Sequence, residues 1–180
     1  MQSVNNNIRW NAQGFTLLEL VVVMVLVSIL ALVALDRVWL LRAQAERAAV
    51  TTVAGNIRSA LGMEVAKYAL ANELYKIAAL EGSNPVTLLA QAPGEYVGEI
   101  TDEAAIKDKG IWYFNSQSKM LVYRVQFDEY FKSDLNAPFI RFQVKLRYGD
   151  KNNNGKFDFK TDTIDGLDLV SMDTYHWEIP

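Results

Sequence analysis

The chain has no cysteine and one histidine in 180 residues. That excludes a disulfide scaffold, cysteine-based zinc sites, a cysteine nucleophile and iron–sulfur clusters. It has four prolines, the first at Pro85, so residues 36–81 carry none of the breaks that proline imposes on a helix. Net charge is −3, which leaves no electrostatic footprint for nucleic acid. Catalytic signatures are missing too: there is no Gly-rich phosphate loop, no H-E-x-x-H, and no Ser or Asp at a recognisable motif spacing around His176. That histidine reads as a core-edge or surface side chain, and the chain as not an enzyme.

What is present is apolar and unevenly charged. Hydrophobic residues make up 51% and charged residues 22%, so the chain is neither disordered nor collagen-like. Its length suits one domain with room for an appendage. Residues 1–80 carry seven basic and five acidic side chains, a net of +2; residues 81–180 carry eleven and sixteen, a net of −5.

From Phe15 to Leu35 the chain reads FTLLELVVVMVLVSILALVAL, with Glu19 its one charge. As a helix this stretch spans roughly 30 Å, the thickness of a bilayer's hydrocarbon core. No polar stripe interrupts it, which argues against a half-buried surface helix. Asp36 and Arg37 follow it instead of a small-residue cleavage site, which argues against an ordinary secretory signal. A carboxylate inside a membrane-spanning helix is costly unless something pairs with it. No Lys or Arg lies within a helical turn or two of Glu19. A partner from another chain, or a newly made amino terminus, would answer the need.

Gly14-Phe15-Thr16-Leu17-Leu18-Glu19 running into this apolar stretch resembles the processing and assembly motif of type IV pilins and type II secretion pseudopilins. The resemblance is specific over residues 14–35 and architectural beyond them. It implies a leader, residues 1–14, removed by a prepilin peptidase between Gly14 and Phe15, with Phe15 then N-methylated. It implies that Glu19 neutralises the amino terminus of a neighbouring subunit during assembly. The partners it implies are other pilin subunits, the peptidase, an inner-membrane assembly platform and, before assembly, membrane lipid. The implied location is the inner membrane as a single-pass protein with a periplasmic carboxyl domain, then the pilus or pseudopilus. Arg37, Arg42 and Arg47 outnumber Arg9 across the apolar segment and by positive-inside counting favour the opposite orientation, but a large domain translocates regardless of such charge. Three features depart from the family's common pattern: Gln13 precedes Gly14 in place of Lys or Arg, Asp36 stands where a proline is common, and no disulfide closes the carboxyl end. The last favours a minor pilin or a pseudopilin over a disulfide-clasped major subunit. The Trp112–Val125 hairpin is similar to minor pilins of mannose-sensitive haemagglutinin-type pili.

Beyond the apolar segment the pattern becomes amphipathic. Val50, Val53, Ile57, Leu61, Val65 and Tyr68 fall on one helical face, Leu70, Leu74 and Ile77 continue it, and Gly82 with Pro85 reads as a stop. The spacing predicts one helix from about Phe15 to about Glu81, apolar all round over 15–35 and amphipathic over 36–81, roughly 100 Å at the standard rise. Residues 85–180 then form a β-rich domain. Residues 85–109 read as irregular, with TDEAAIKD as a short helical turn. Trp112–Phe114 and Met120 onward read as a hairpin, Ile140–Tyr148 as a strand with one apolar and one basic face, and Tyr175–Ile179 as a last strand. The fold class expected is α+β, with a long amino-terminal helix packed on an antiparallel sheet of about four strands, since neither element can hide its apolar side alone.

Asp150-Lys151-Asn152-Asn153-Asn154-Gly155-Lys156-Phe157-Asp158 matches D-x-N-x-N-G-x-x-D. Oxygen ligands at alternating positions before a glycine turn are what Ca²⁺ requires. Asp150, Asn152 and Asn154 would offer side-chain oxygens, Lys156 its carbonyl, and Asp158 a direct or water-mediated contact. Thr161, with Asp162 beside it, stands where an EF-hand has its bidentate Glu, and the flanks read as strands. The alternative is a surface hairpin turn, for which Asn-Gly is a sufficient signal. The reading as a whole is a pilin-like structural subunit, against a membrane-anchored periplasmic binding domain that would keep residues 1–14.

Overall fold

A computed structural model describes residues 15–179. Residues 1–14, the expected leader, lie outside the described residues. Helix α1 covers Leu17–Leu70. The chain divides after Leu40 into two compact units.

In the first unit every described residue from Phe15 to Leu35 is exposed. This part of α1 is long and apolar enough to cross a membrane, and none of that window is buried. A helix apolar on all sides has no face to turn toward water, so its surroundings must be lipid or other helices.

In the second unit α1 buries one stripe. Ala43, Glu46, Val50, Ala54, Ile57 and Leu61 are buried at steps of three and four, the period of a single helical face. They meet the inner face of a five-stranded sheet of order β1-β2-β3-β5-β6. The strands are β1 (Tyr96–Ile100), β2 (Ile111–Asn115), β3 (Met120–Arg124), β5 (Phe139–Gly149) and β6 (Thr163–Ser171). Trp112, Phe114, Leu121, Tyr123, Ile140, Phe142, Val144 and Leu169 share one core with Val50, Ile57 and Leu61. Burial in β5 alternates from Ile140 to Leu146, which is the pattern of a sheet with one covered face. A separate two-stranded sheet joins β4 (Phe131–Ser133) to β7 (Tyr175–Trp177).

The α+β class and the helix-on-sheet packing hold. Three expectations change. The helix ends at Leu70, not near Glu81. Asn72 adopts a left-handed φ of 55°. The N–H of Glu73 donates to the carbonyl of Tyr68 at 2.8 Å, and that of Asn72 to Ala69 at 3.1 Å. This paired closure ends a helix, and asparagine is the residue that tolerates it best after glycine. Leu74 and Ile77, which continue the apolar stripe in sequence, sit instead on a 3-10 turn spanning Leu74–Leu80. A repeat of three fits that tighter geometry as well as the α-helix.

The second change is in the sheet. Strand β1 lies in the stretch expected to be irregular and pairs parallel with β2, so the sheet is mixed. Strand β6 is the strand expected on the far flank of the 150–162 loop, and it pairs antiparallel with β5; Asp165, Gly166 and Asp168 break its alternation, so the pattern does not mark its extent. The third is the last strand: it is short, ends at Trp177, and pairs with β4, not with the main sheet. The expected helical turn in TDEAAIKD is present as a single 3-10 turn at Glu103–Ala105.

Two buried polar groups organise this unit. Glu46 is 8% exposed. Its Oε1 accepts from the Tyr123 hydroxyl at 2.8 Å and from the Gln126 N–H at 2.5 Å, while Oε2 accepts from the Phe127 N–H at 3.0 Å. One carboxylate thus ties α1 to the end of β3, at the point where β3 stops being a strand. Burial, together with the Glu46 carboxylate, raises the Tyr123 phenol's pKa above its usual range. Asp173 is the second group: it accepts from the Arg141 N–H at 3.2 Å and from Nε at 2.9 Å, and also pairs with Nη2. That pair fixes the turn between β6 and β7 to the start of β5.

On the other face of the sheet Tyr113 is fully buried with Ile111 and Val122, beneath Ile100, Ile106, Met120 and Phe139. Its hydroxyl has no hydrogen-bond partner among the described residues. Burial first, and Glu103 second, push that phenol up to about 12 from 10.0.

Two outcomes are expected. Glu46→Ala strands a buried hydroxyl and two backbone N–H groups, and unfolding in denaturant should show a loss of about 2–4 kcal/mol, with Glu46→Gln losing less. Because the folded state favours the neutral Tyr113 phenol, its stabilisation is complete below pH 10.0 and disappears as pH rises through about 12. Tyr113→Phe should therefore unfold less steeply with alkali than the parent over that window, at no cost at neutral pH.

Candidate functional site

The first turn of α1 is built by its own residues. Thr16 precedes the helix, and its hydroxyl accepts from the Glu19 N–H at 3.2 Å while its carbonyl accepts from Leu20 at 3.1 Å. Thr-x-x-Glu is the spacing of a capping box, in which the threonine satisfies an N–H that the helix leaves open. Glu19 therefore sits in the first turn, where the positive end of the helix dipole favours an anion. The sequence reading treats Glu19 as wholly unsupported; the cap shows a partial local support. Threonine followed three residues later by glutamate was the signal for it. Phe15 and Glu19 are both exposed, Phe15 at 79%. Gly14, the expected cleavage residue, lies outside the described residues.

Family comparison adds one finding. The model for the prokaryotic N-terminal methylation motif matches residues 11–35. The chain is type IV pilin-like. No curated protein and no solved structure matches it. The motif implies processing by prepilin peptidase and assembly with other pilins, in a family that is structural and not a class of enzyme. Its apolar helix and signal fit membrane anchoring. His176 lies exposed on β7, its Nε2 3.6 Å from Glu178 Oε1.

The loop over 150–162 joins β5 to β6. At its base a Cβ on Gly149 would come within 2.8 Å of Thr163 Oγ1, so a larger residue there would make the Thr163 side chain turn aside. Within the loop, side-chain oxygens accept from the loop's own backbone. Asp150 Oδ2 accepts from Gly155 at 2.7 Å and Oδ1 from Asn154 at 3.3 Å. Asn152 Oδ1 accepts from Asn154 at 3.1 Å, and Asn154 Oδ1 from Lys156 at 2.7 Å. Asp162, twelve positions after Asp150, reaches back: its Oδ1 accepts from Lys151 at 3.1 Å and its Oδ2 from Asp158 at 2.8 Å. Asp158 Oδ1 accepts from Lys160 at 3.0 Å.

The loop thus gathers Asp150, Asn152, Asn154 and Asp162 around one turn, with Asp158 serving the next. The donors are all oxygen, which suits a hard cation such as Ca²⁺. No group of three or more His, Cys, Asp or Glu among the described residues is placed to hold a metal; the set relies on asparagine amides for the remainder. Edge-on ring contacts, unforeseen from sequence, seat the second half of the loop: Tyr148 on Phe157 and Tyr75 on Phe159, each at 5.4 Å between centroids.

Proposed function

We propose that the chain is a minor pilin, a structural subunit of a type IV pilus. Residues 15–35 store it in the inner membrane with the carboxyl-terminal unit on the periplasmic side, and the same helix then enters the core of a filament. The observation that carries this reading is a helix exposed and apolar on every side whose one charge, Glu19, stands capped in the first turn. Cleavage after Gly14 would create an amine at Phe15, and methylation would keep it basic. A neighbour's amine is the partner that the Glu19 carboxylate needs once water is gone. A type II secretion pseudopilin is the second reading, supported by the same motif; co-purification with sheared pili, as against a secretion complex, separates the two. A membrane-anchored periplasmic binding domain is the rival of another class, and it would retain residues 1–14.

Mass spectrometry of the chain from its native host should find an amino terminus at methylated Phe15. An intact Met1 would overturn the pilin reading in favour of the anchored domain. Glu19→Ala should still be cleaved and folded, yet enter filaments at least about tenfold less, since removing one partner of a buried ion pair costs about 3–5 kcal/mol. Undiminished incorporation would refute the pairing role.

We also propose that the loop over 150–162 takes Ca²⁺, using Asp150, Asn152, Asn154 and Asp162 with the Lys156 carbonyl and Asp158 as supplements. The return of Asp162 to the start of the loop supports this. The ion would clasp the carboxyl region that no disulfide closes. Calorimetric titration with Ca²⁺ should release or absorb heat and raise the melting temperature, reversibly with chelator and not in Asp150→Ala. Neither heat nor shift would remove the ion from the account.

A further inference from the structure

We propose that Asn154–Gly155 is a self-modification site, at which the chain closes a succinimide and loses the side-chain amide of Asn154. Three features of the loop converge on this bond. The nucleophile is the backbone nitrogen of Gly155, whose N–H donates to Asp150 Oδ2 at 2.7 Å. The electrophile is the Asn154 side-chain carbonyl, whose Oδ1 accepts from the Lys156 N–H at 2.7 Å. Gly155 has no side chain to shield its nitrogen, and even an added Cβ would meet nothing within 4 Å. Residues 151–156 are all exposed, so water reaches the product.

The chemistry follows from these placements. Asp150 takes the Gly155 amide proton as the nitrogen bonds to Asn154 Cγ. The C=O electron pair moves onto Oδ1, where the Lys156 N–H steadies the growing negative charge. The intermediate collapses by breaking the bond from Cγ to Nδ2. The proton held by Asp150 leaves with the nitrogen as ammonia. Water then opens the five-membered ring at either carbonyl and gives aspartate or isoaspartate. The balance is one asparagine plus one water to one acidic residue plus one ammonia, with no change of oxidation state. Base, nucleophile and oxyanion donor are all held in one short turn, so the cost of assembling them is met by the fold.

Asn152 provides an internal comparison. Its amide oxygen is held in the same manner, by the Asn154 N–H at 3.1 Å. Its successor Asn153, however, carries a side chain that hinders the attacking nitrogen. The modification adds one negative charge to an exposed loop, and the isoaspartate product also lengthens the backbone by one methylene group at the turn.

The test incubates the full chain in detergent with chelator, at constant pH and temperature. Peptide mapping by mass spectrometry and isoaspartate-specific methylation then follow each asparagine. Loss of ammonia is expected at Asn154 well ahead of Asn152 and Asn153. Asp150→Asn, which keeps an acceptor for the Gly155 N–H but not a base, should slow the loss by about tenfold or more. The same chain in denaturant, where Asp150 is no longer held beside Gly155, should fall to the rate of that variant. Equal rates in the parent and in Asp150→Asn, with circular dichroism showing both folded, would overturn the assisted mechanism. An Asn154 that persists unchanged while a free Asn-Gly peptide is consumed would overturn the site itself.

Discussion

Helix α1 from Leu41 onward is covered by the sheet along one stripe, and the rest of the carboxyl-terminal unit is arranged to complete that cover. Val50, Ile57 and Leu61 are removed from water by Trp112, Phe114, Phe142 and Leu169. At about 25 cal/mol per Å² of apolar surface this is the main favourable term, set against chain entropy of similar size. Apolar contact is indifferent to sliding, so it does not by itself set the register of helix on sheet. Glu46 supplies what is missing, because its carboxylate is satisfied only where the Tyr123 hydroxyl and the N–H groups of Gln126 and Phe127 meet it. Such a group is costly to bury unpaired, and any slipped arrangement would leave it so. The stripe provides the affinity between layers and Glu46 the address.

Among the described residues, the same chain from Phe15 to Leu35 is exposed on every side, with no stripe and no cover. The chain thus couples a unit that is complete in water to one that is not. A soluble domain has no use for twenty-one residues of unrelieved apolar surface carrying one acid. A membrane anchor has use for the apolar surface but none for the acid. A subunit that exchanges lipid for neighbouring helices has use for both, and this is why the processing motif and the exposed helix point the same way.

Much of this was legible in the sequence, for physical reasons that differ by element. The apolar segment announces itself by length, and β5 by strict alternation from Ile140 to Leu146, because each has a single solvent on each face. Strand β2 is buried at all five positions, so its period carries little information and the hairpin with β3 was recognisable mainly from its polar turn. Strand β6 was legible only as the far flank of the loop, because Asp165 and Asp168 blur its alternation. The end of α1 was misplaced because a three-residue apolar spacing is shared by α and 3-10 geometry, and because Asn72 is a less conspicuous helix terminator than Gly82. Around the loop, the alternation of Asp150, Asn152 and Asn154 was visible at once. The backbone partner of each oxygen was not, since short-range hydrogen bonds depend on the left-handed turns at Asn153 and Gly155. Glu46 could not be singled out: a glutamate in an amphipathic helix looks solvated until the opposing strand is placed.

Glu19 is the residue whose meaning changes most between sequence and structure. Read alone, it is a charge abandoned in oil. With Thr16 accepting from its N–H, it belongs to a capped first turn, where the helix dipole stabilises an anion by about 0.3–1 kcal/mol. That support is too small to meet the cost of burying a carboxylate in hydrocarbon, which insertion scales put at about 2.5–3.5 kcal/mol for Asp at a helix centre. It suffices only where headgroups or water still reach the end of the helix. In the proposed assembly the cap and the amine would therefore act at different stages: the cap near the membrane surface, the amine once the turn enters a dry interior. A side chain supported halfway is the kind that gives a subunit a reason to seek a partner: fully satisfied within its own chain it would have nothing to gain from one.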